Sequence, residues 1–104
     1  MTEPPYHVAI LQVTRTGADA DGYTATLACM LELAERRPGY LGRRSAVTDD
    51  GDELTIVFFT DDEALRAWHD DPEHRAAQHL ARERWYERYQ VHVARVERTY
   101  RFQR

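Results

Sequence analysis

Positions 6–14, YHVAILQVT, are rich in strand-forming residues, and the glycine-bounded loop GADADG follows with Asp21 available as a helix N-cap. From there one helical face is apolar, formed by Leu27, Met30, Leu31 and Ala34. Pro38 and Gly39 end this periodicity. The pattern predicts a strand followed by a helix, with Cys29 off the apolar stripe as a small, semi-buried side chain.

Two more strand-like stretches, 40–48 and 53–60, flank the sequence DDGD, whose Asp50-Gly51 pair favours a tight hairpin turn. A second helix is predicted after Asp61 as its N-cap. It is interrupted near Asp70, because the Asp71-Pro72 pair is typical of a new helix start. The segment 89–102 then predicts a final strand.

The predicted order, β-α-β-β-α-β, is the ferredoxin-like α+β arrangement with an antiparallel sheet. The first and third strands are apolar on both alternating faces, whereas the second and fourth carry arginines and are predicted to be edges. Helices can cover only one face of such a sheet, so the other face needs a second sheet or a ligand. The pattern therefore favours a homodimer.

The 104 residues predict one domain spanning 1–104, and a formal net charge of -4 disfavours nucleic acid as a partner. No apolar run approaches the roughly 18 residues that a membrane span requires, and the first residues lack the features of a signal peptide. The single cysteine cannot form an intrachain disulfide. We expect a cytoplasmic protein with neither nucleic acid nor membrane as a partner.

The segment HDDPEHRAAQH, residues 69–79, holds three histidines five residues apart. On one helix such residues are about 140° apart around the axis, so they cannot converge on one metal ion. His79 is expected to be a solvated surface residue. His74 forms a stripe with Gln78, Ala81 and Trp85 beside the core, near a helix N-terminus that favours its neutral form. This histidine is either a base or a buried residue that serves the cap and the packing.

The segment RERWYERY, residues 82–89, combines three aromatic residues and three arginines. One interpretation is a hydrophobic plug at the end of the sheet, with the arginines solvated or stacked on rings. The other is one wall of an aromatic pocket, with guanidinium groups that hold an anionic oxygen. The composition alone favours neither.

Four stretches, GYLG, DDEALRAWHDDPEHRAAQ, RERWYERY and the closing VHVARVERTYRF, together resemble the antibiotic biosynthesis monooxygenase family over nearly the whole chain. The resemblance implies a homodimer whose two sheets pack into an α+β barrel, with a pocket between sheet and helices in each subunit. Some members of that family oxygenate aromatic polyketides without metal or flavin, and relatives bind haem and open its ring.

The resemblance thus implies a cofactor-independent monooxygenase whose substrates are a phenolic or polyketide-like aromatic molecule and molecular oxygen. Such chemistry needs a base, a donor for the oxyanion and a dry aromatic pocket. We assign the base role to His74 and the oxyanion role to Arg84, and we expect Trp68 to donate its indole N–H to a substrate carbonyl. Substrate contacts are expected from Phe58, Gln78, Trp85, Tyr86 and Tyr89.

Two alternatives remain open at the level of sequence. In the haem-degrading relatives the axial histidine lies ten residues after the pocket tryptophan, and counting from Trp68 gives Gln78, which is not a usual haem ligand. We therefore expect no metal or haem cofactor. The second alternative is a non-catalytic dimer that binds a small molecule.

Overall fold

The computed structural model describes residues 2–104, and its elements follow the predicted order with the second helix divided in two. The strands are β1 (Tyr6–Arg15), β2 (Tyr40–Val47), β3 (Glu53–Phe59) and β4 (Tyr86–Val96). The helices are α1 (Ala20–Glu35), α2 (Asp62–Asp70) and α3 (Pro72–Arg84). The predicted ferredoxin-like α+β fold is confirmed.

The four strands form one antiparallel sheet in the order β2-β3-β1-β4, so β2 and β4 are the edges, as predicted. Side chains alternate between its two faces. The helices pack against the face that carries Ala9 and Leu11 of β1 and Val57 of β3. The opposite face carries other apolar residues of the central strands, among them Ile10 and Ile56. This second face is called the far face below.

Aspartate side chains cap all three helices. Asp61 accepts a hydrogen bond from the backbone N–H of Ala64, and Asp71 accepts from those of Glu73 and His74. These two caps confirm the predicted break of the second helix. The predicted cap at Asp21 is wrong: Asp19 caps α1 by accepting from the Gly22 N–H.

The last strand is shorter and begins earlier than predicted. It spans Tyr86–Val96 instead of 89–102, because Trp85 already ends α3 and Tyr86 pairs with Arg15 across a β-bulge. At the other end Val96 pairs with Tyr6, the first residue of β1. Beyond this position β1 offers no further partner, so residues 97–104 are not part of the sheet.

The buried core is divided into two clusters. One contains Ala34, Phe59, Leu65 and Trp68, and the other contains Tyr23, Ala81 and Trp85. Of the predicted apolar stripe of α1 only Ala34 is fully buried, because the other members line a cavity between the two clusters. Cys29 is exposed, which corrects the expectation of a semi-buried side chain.

Candidate functional site

The cavity between the two clusters has a volume of about 650 Å³ and lies between the sheet and the helices. Two antiparallel helices form its long walls. In α1 the lining residues run from Tyr23 to Ala34, and in α3 and its cap they run from His74 to Trp85. The first and last lining residues of each helix are eleven positions apart, which corresponds to about 16 Å along the helix axis. The cavity is therefore elongated along α1 and α3.

The imidazole of His74 lies at one end of the cavity. It is stacked on the indole of Trp68, with 3.8 Å between ring centroids and an interplanar angle of 10°. Its Nδ1 lies 2.8 Å from the backbone carbonyl oxygen of Trp68. A carbonyl oxygen can only accept, so Nδ1 carries the proton of the neutral ring. The other ring nitrogen, Nε2, is left with a lone pair.

That lone pair contacts Gln78, one helical turn further along α3. The amide nitrogen of Gln78 lies 3.2 Å from Nε2 of His74 and donates to it. Desolvation by burial is the main influence on His74 and lowers its pKa below the ordinary value of 6.5. The hydrogen bond to the Trp68 carbonyl and the charge of Asp71 act in the opposite direction but are smaller. A neutral imidazole, as predicted, fits this environment.

A second polar group, which the sequence pattern does not predict, lies at the opposite end of the cavity. The Tyr23 hydroxyl donates to the Glu53 carboxylate at 2.8 Å, and the Arg15 guanidinium lies 3.7 Å from the centre of the Tyr23 ring. Arg15 also forms a 3.4 Å ion pair with Glu53. One signal was available in the sequence: Glu53 is the charged residue on the face of β3 that also carries Thr55, Val57 and Phe59.

Most of the predicted site residues are brought together by the fold. The cavity is lined by Trp68, His74, Gln78, Trp85, Tyr86 and Tyr89. Phe58 is not among them, because strand alternation turns it to the far face, where its ring lies 6.0 Å from that of Tyr6. The expectation that Phe58 contacts a ligand in the cavity is therefore wrong.

Arg84 also lies outside the cavity. It is in the last turn of α3, directly before the buried Trp85, and its guanidinium is exposed 3.9 Å from Asp19. Three other arginines do line the cavity: Arg43, Arg66 and Arg82. Arg82 donates to the Tyr89 hydroxyl at 3.4 Å. Of the three arginines in the segment 82–89, Arg82 therefore lines the cavity, whereas Arg84, to which the oxyanion role was assigned, does not.

The other two histidines of the 69–79 segment are exposed. His69 also lines the cavity and pairs with Asp70, whereas His79 lies outside the cavity and pairs with Glu83, as expected of a surface residue. No group of three or more metal-ligating side chains with suitable geometry occurs in the part of the chain that the structure describes. Within residues 2–104 no helix is both long and apolar enough to span a membrane.

Comparisons with known proteins agree with this architecture. The profile of the antibiotic biosynthesis monooxygenase family matches residues 6–80. The Bacillus subtilis protein YqjZ, which is uncharacterized, is 38% identical over 101 residues, covering 97% of this chain and 88% of its own length.

Solved structures share the fold at low identity. SnoaB, a cofactor-independent oxygenase from Streptomyces nogalater, superimposes with a TM-score of 0.76 at 17% identity, covering 92% of this chain and 97% of its own. Rv0793 from Mycobacterium tuberculosis superimposes with a TM-score of 0.72 at 17% identity, covering 86% and 92% of the two chains.

Proposed function

Because the chain belongs to the antibiotic biosynthesis monooxygenase family, we propose that it oxygenates a phenolic or polyketide-like aromatic molecule without a bound cofactor. The observation that carries this proposal is the His74 imidazole, held neutral and oriented at one end of a largely apolar cavity. A cavity of about 650 Å³ is within the range of small-molecule sites and accommodates a polycyclic aromatic ligand.

His74 Nε2 is the base in this proposal. The Nδ1 proton is fixed by the Trp68 carbonyl, so the lone pair on Nε2 is available once a substrate hydroxyl displaces the Gln78 amide. The phenol then transfers its proton to Nε2. After protonation Nε2 becomes a donor, and Gln78 can turn its amide oxygen towards the ring without any backbone movement. Gln78 thereby stabilises both protonation states of His74.

The substrate anion supplies the electrons that activate dioxygen. For a substrate with a ring methylene, one oxygen atom forms the new carbonyl, and the other leaves as water with the two methylene hydrogens. We assign the role of stabilising the oxyanion to Arg43 instead of Arg84. Arg43 lines the cavity and neighbours Tyr40, which packs against the core cluster that contains Trp68. The Trp68 indole remains the proposed donor to a substrate carbonyl.

The proposed active form is a homodimer joined through the far face. The helices leave several apolar side chains of this face, namely Ile10, Ile56 and Phe58, only partly buried. The accessible surface of the chain is 7445 Å², whereas a compact monomer of 12.2 kDa exposes about 6,100 Å². A second sheet packed on the far face accounts for part of this excess, as expected for a two-sheet barrel.

One observation favours a second candidate function, that of a non-catalytic binding protein. Both ring nitrogens of His74 already have hydrogen-bond partners, which is what a purely structural histidine requires. In that case the cavity binds an aromatic ligand and releases it unchanged.

Oxygen consumption separates the two functions. With a panel of anthrone-like and hydroquinone substrates, His74→Ala should slow oxygen uptake by about 10² to 10⁴, the usual contribution of a general base. His79→Ala, an exposed histidine on the same helix, is the matched control and should retain the wild-type rate. A normal rate in His74→Ala rules out the base role. If oxygen uptake is absent with every substrate and His74→Ala only lowers stability, by about 1–3 kcal/mol, the binding function is favoured.

A further inference from the structure

The polar group at the Tyr23 end of the cavity has hydrogen-bonding capacity that the protein leaves unused. Glu53 accepts one bond from Tyr23 and a long one from Arg15, but a carboxylate offers about four lone-pair sites. Trp85 is only 2% exposed, and its buried indole Nε1 has no hydrogen-bond partner within the described residues. Buried polar atoms without partners are uncommon in folded proteins.

Tyr86 adds a free donor to the same end. Tyr23 donates to Glu53 and Tyr89 accepts from Arg82, whereas the Tyr86 hydroxyl has no such partner within the described residues 2–104. Tyr86 lines the cavity, and its burial together with the charge of Glu53 raises its pKa. The hydroxyl therefore stays protonated and can donate.

The sheet indicates how far apart the two ends of the cavity are. His74 stacks on Trp68, and the core cluster that contains Trp68 packs against Ala9 of β1. Glu53 pairs with Val13, which also belongs to β1. Four residues of β-strand separate Ala9 from Val13, or about 13 Å. Both positions belong to β1, one of the two central strands of the sheet, so this spacing is rigid.

We propose that Glu53 and Tyr86 form a second polar subsite, which binds a hydroxyl group at the far end of an elongated, flat substrate, about 13 Å along the sheet from the His74 end of the cavity. A hydroxyl fits because it can donate to the Glu53 carboxylate and accept from Tyr86 at the same time. A carboxylate does not fit, since it would face the negative charge of Glu53. The proposal rests on the oxygenase function above for the nature of the ligand, and it narrows the substrate class to polycyclic phenols hydroxylated at both ends.

Binding of already oxidised ligands tests the subsite without any turnover. The probes are anthraflavic acid, a flat tricyclic quinone with a hydroxyl at each end, its analogue with one hydroxyl, and its analogue with a carboxyl in place of the second hydroxyl. Dissociation constants are measured by quenching of tryptophan fluorescence and by calorimetry. We expect anthraflavic acid to bind about tenfold more tightly than the other two, as one hydrogen bond to a charged acceptor predicts.

In Tyr86→Phe and Glu53→Gln the tenfold preference should fall to about one, whereas affinity for the one-hydroxyl analogue should change little. Tyr100→Phe removes an exposed hydroxyl outside the cavity and should keep the preference. A preference that persists in both cavity variants, equal binding of the carboxyl analogue, or no binding of anthraflavic acid would overturn the subsite. If the preference behaves as expected but no substrate consumes oxygen, the subsite stands and the oxygenase function fails.

Discussion

The neutral state of His74 has a consequence for stability, because burial makes the folded protein a weaker proton acceptor than the unfolded chain. The pKa of His74 is lowered from 6.5 mainly by desolvation. The unfolded state therefore binds more protons wherever the two states differ, and stability rises with pH in that window. The contribution of the neutral His74 to stability is fully present above the pKa of the unfolded state. It is lost as pH falls below about 6.5 and through the lower pKa of the folded state.

We predict that the free energy of unfolding, measured with urea, decreases between about pH 7 and pH 5 in the wild type. His74→Gln removes the titrating group and should flatten this part of the profile, whereas His79→Gln should leave it unchanged. The lowered pKa of Asp52 acts in a separate, more acidic range, so it does not obscure the effect. An equal slope in wild type and His74→Gln would assign the pH dependence to another group.

Two individual residues show where a sequence pattern stops being informative. Phe58 belongs to a strand that is apolar on both faces, so the pattern does not indicate which face the helices cover. Arg84 has the helical phase of the cavity-lining Ala77, but its guanidinium is exposed and lies 3.9 Å from Asp19 instead. His74 and Gln78 were predictable because their stripe leads directly to Ala81 and Trp85, which the fold buries.

The short α3 helix depends on one side chain for its start. Asp71 accepts hydrogen bonds from the backbone N–H groups of Glu73 and His74 at 2.9 and 3.1 Å, and it forms a 3.5 Å ion pair with Arg37. We predict that Asp71→Ala lowers the free energy of unfolding by about 1 kcal/mol, within the 0.5–2 range for lost N-caps.

Asp70→Ala is the matched control for the cap, because Asp70 is exposed and pairs only with the exposed His69. It should change stability by less than about 0.5 kcal/mol, the usual limit for surface positions. Chemical denaturation of the two variants at one pH measures the difference. Equal losses in both would show that the Asp71 cap contributes little.

At the level of elements, the sequence predicts turns, helix starts and edge strands correctly, because these features depend on a few neighbouring residues. The Asp50-Gly51 turn, the Asp71-Pro72 helix start and the polar edge strands were all predictable from a few neighbouring residues. The bounds of β4 were not predictable in this way, because they depend on where β1, its partner in the sheet but distant in the sequence, begins and ends. Similarly, the apolar stripe of α1 predicts a buried face but does not distinguish a packed core from a cavity wall.

For the whole molecule, the proposed dimer gives a direct prediction. Ile56 lies on the far face in the middle of β3, one of the two central strands, and is paired with Ile10. We predict that wild type is a dimer at micromolar concentration and that Ile56→Glu is a monomer, because an unpaired carboxylate buried between two sheets costs several kcal/mol. Size-exclusion chromatography with light scattering measures both masses.

Val47→Glu provides the control for this substitution, since Val47 is 70% exposed on the edge strand β2 and faces the helix side of the sheet. It should remain dimeric. A wild-type monomer, or a dimer that survives Ile56→Glu with unchanged mass, would require another explanation for the apolar far face.

Because the cavity lies between the two core clusters, binding of the substrate should raise the melting temperature of the protein. A ligand that fills the cavity contacts both clusters, so it binds the folded chain and not the unfolded one. At a hundred times its dissociation constant such a ligand adds about 2.7 kcal/mol to the free energy of unfolding. In a chain of this size each kcal/mol raises the melting temperature by about 4–8 °C. A library of aromatic natural products can therefore be ranked by melting temperature alone, before any reaction is known.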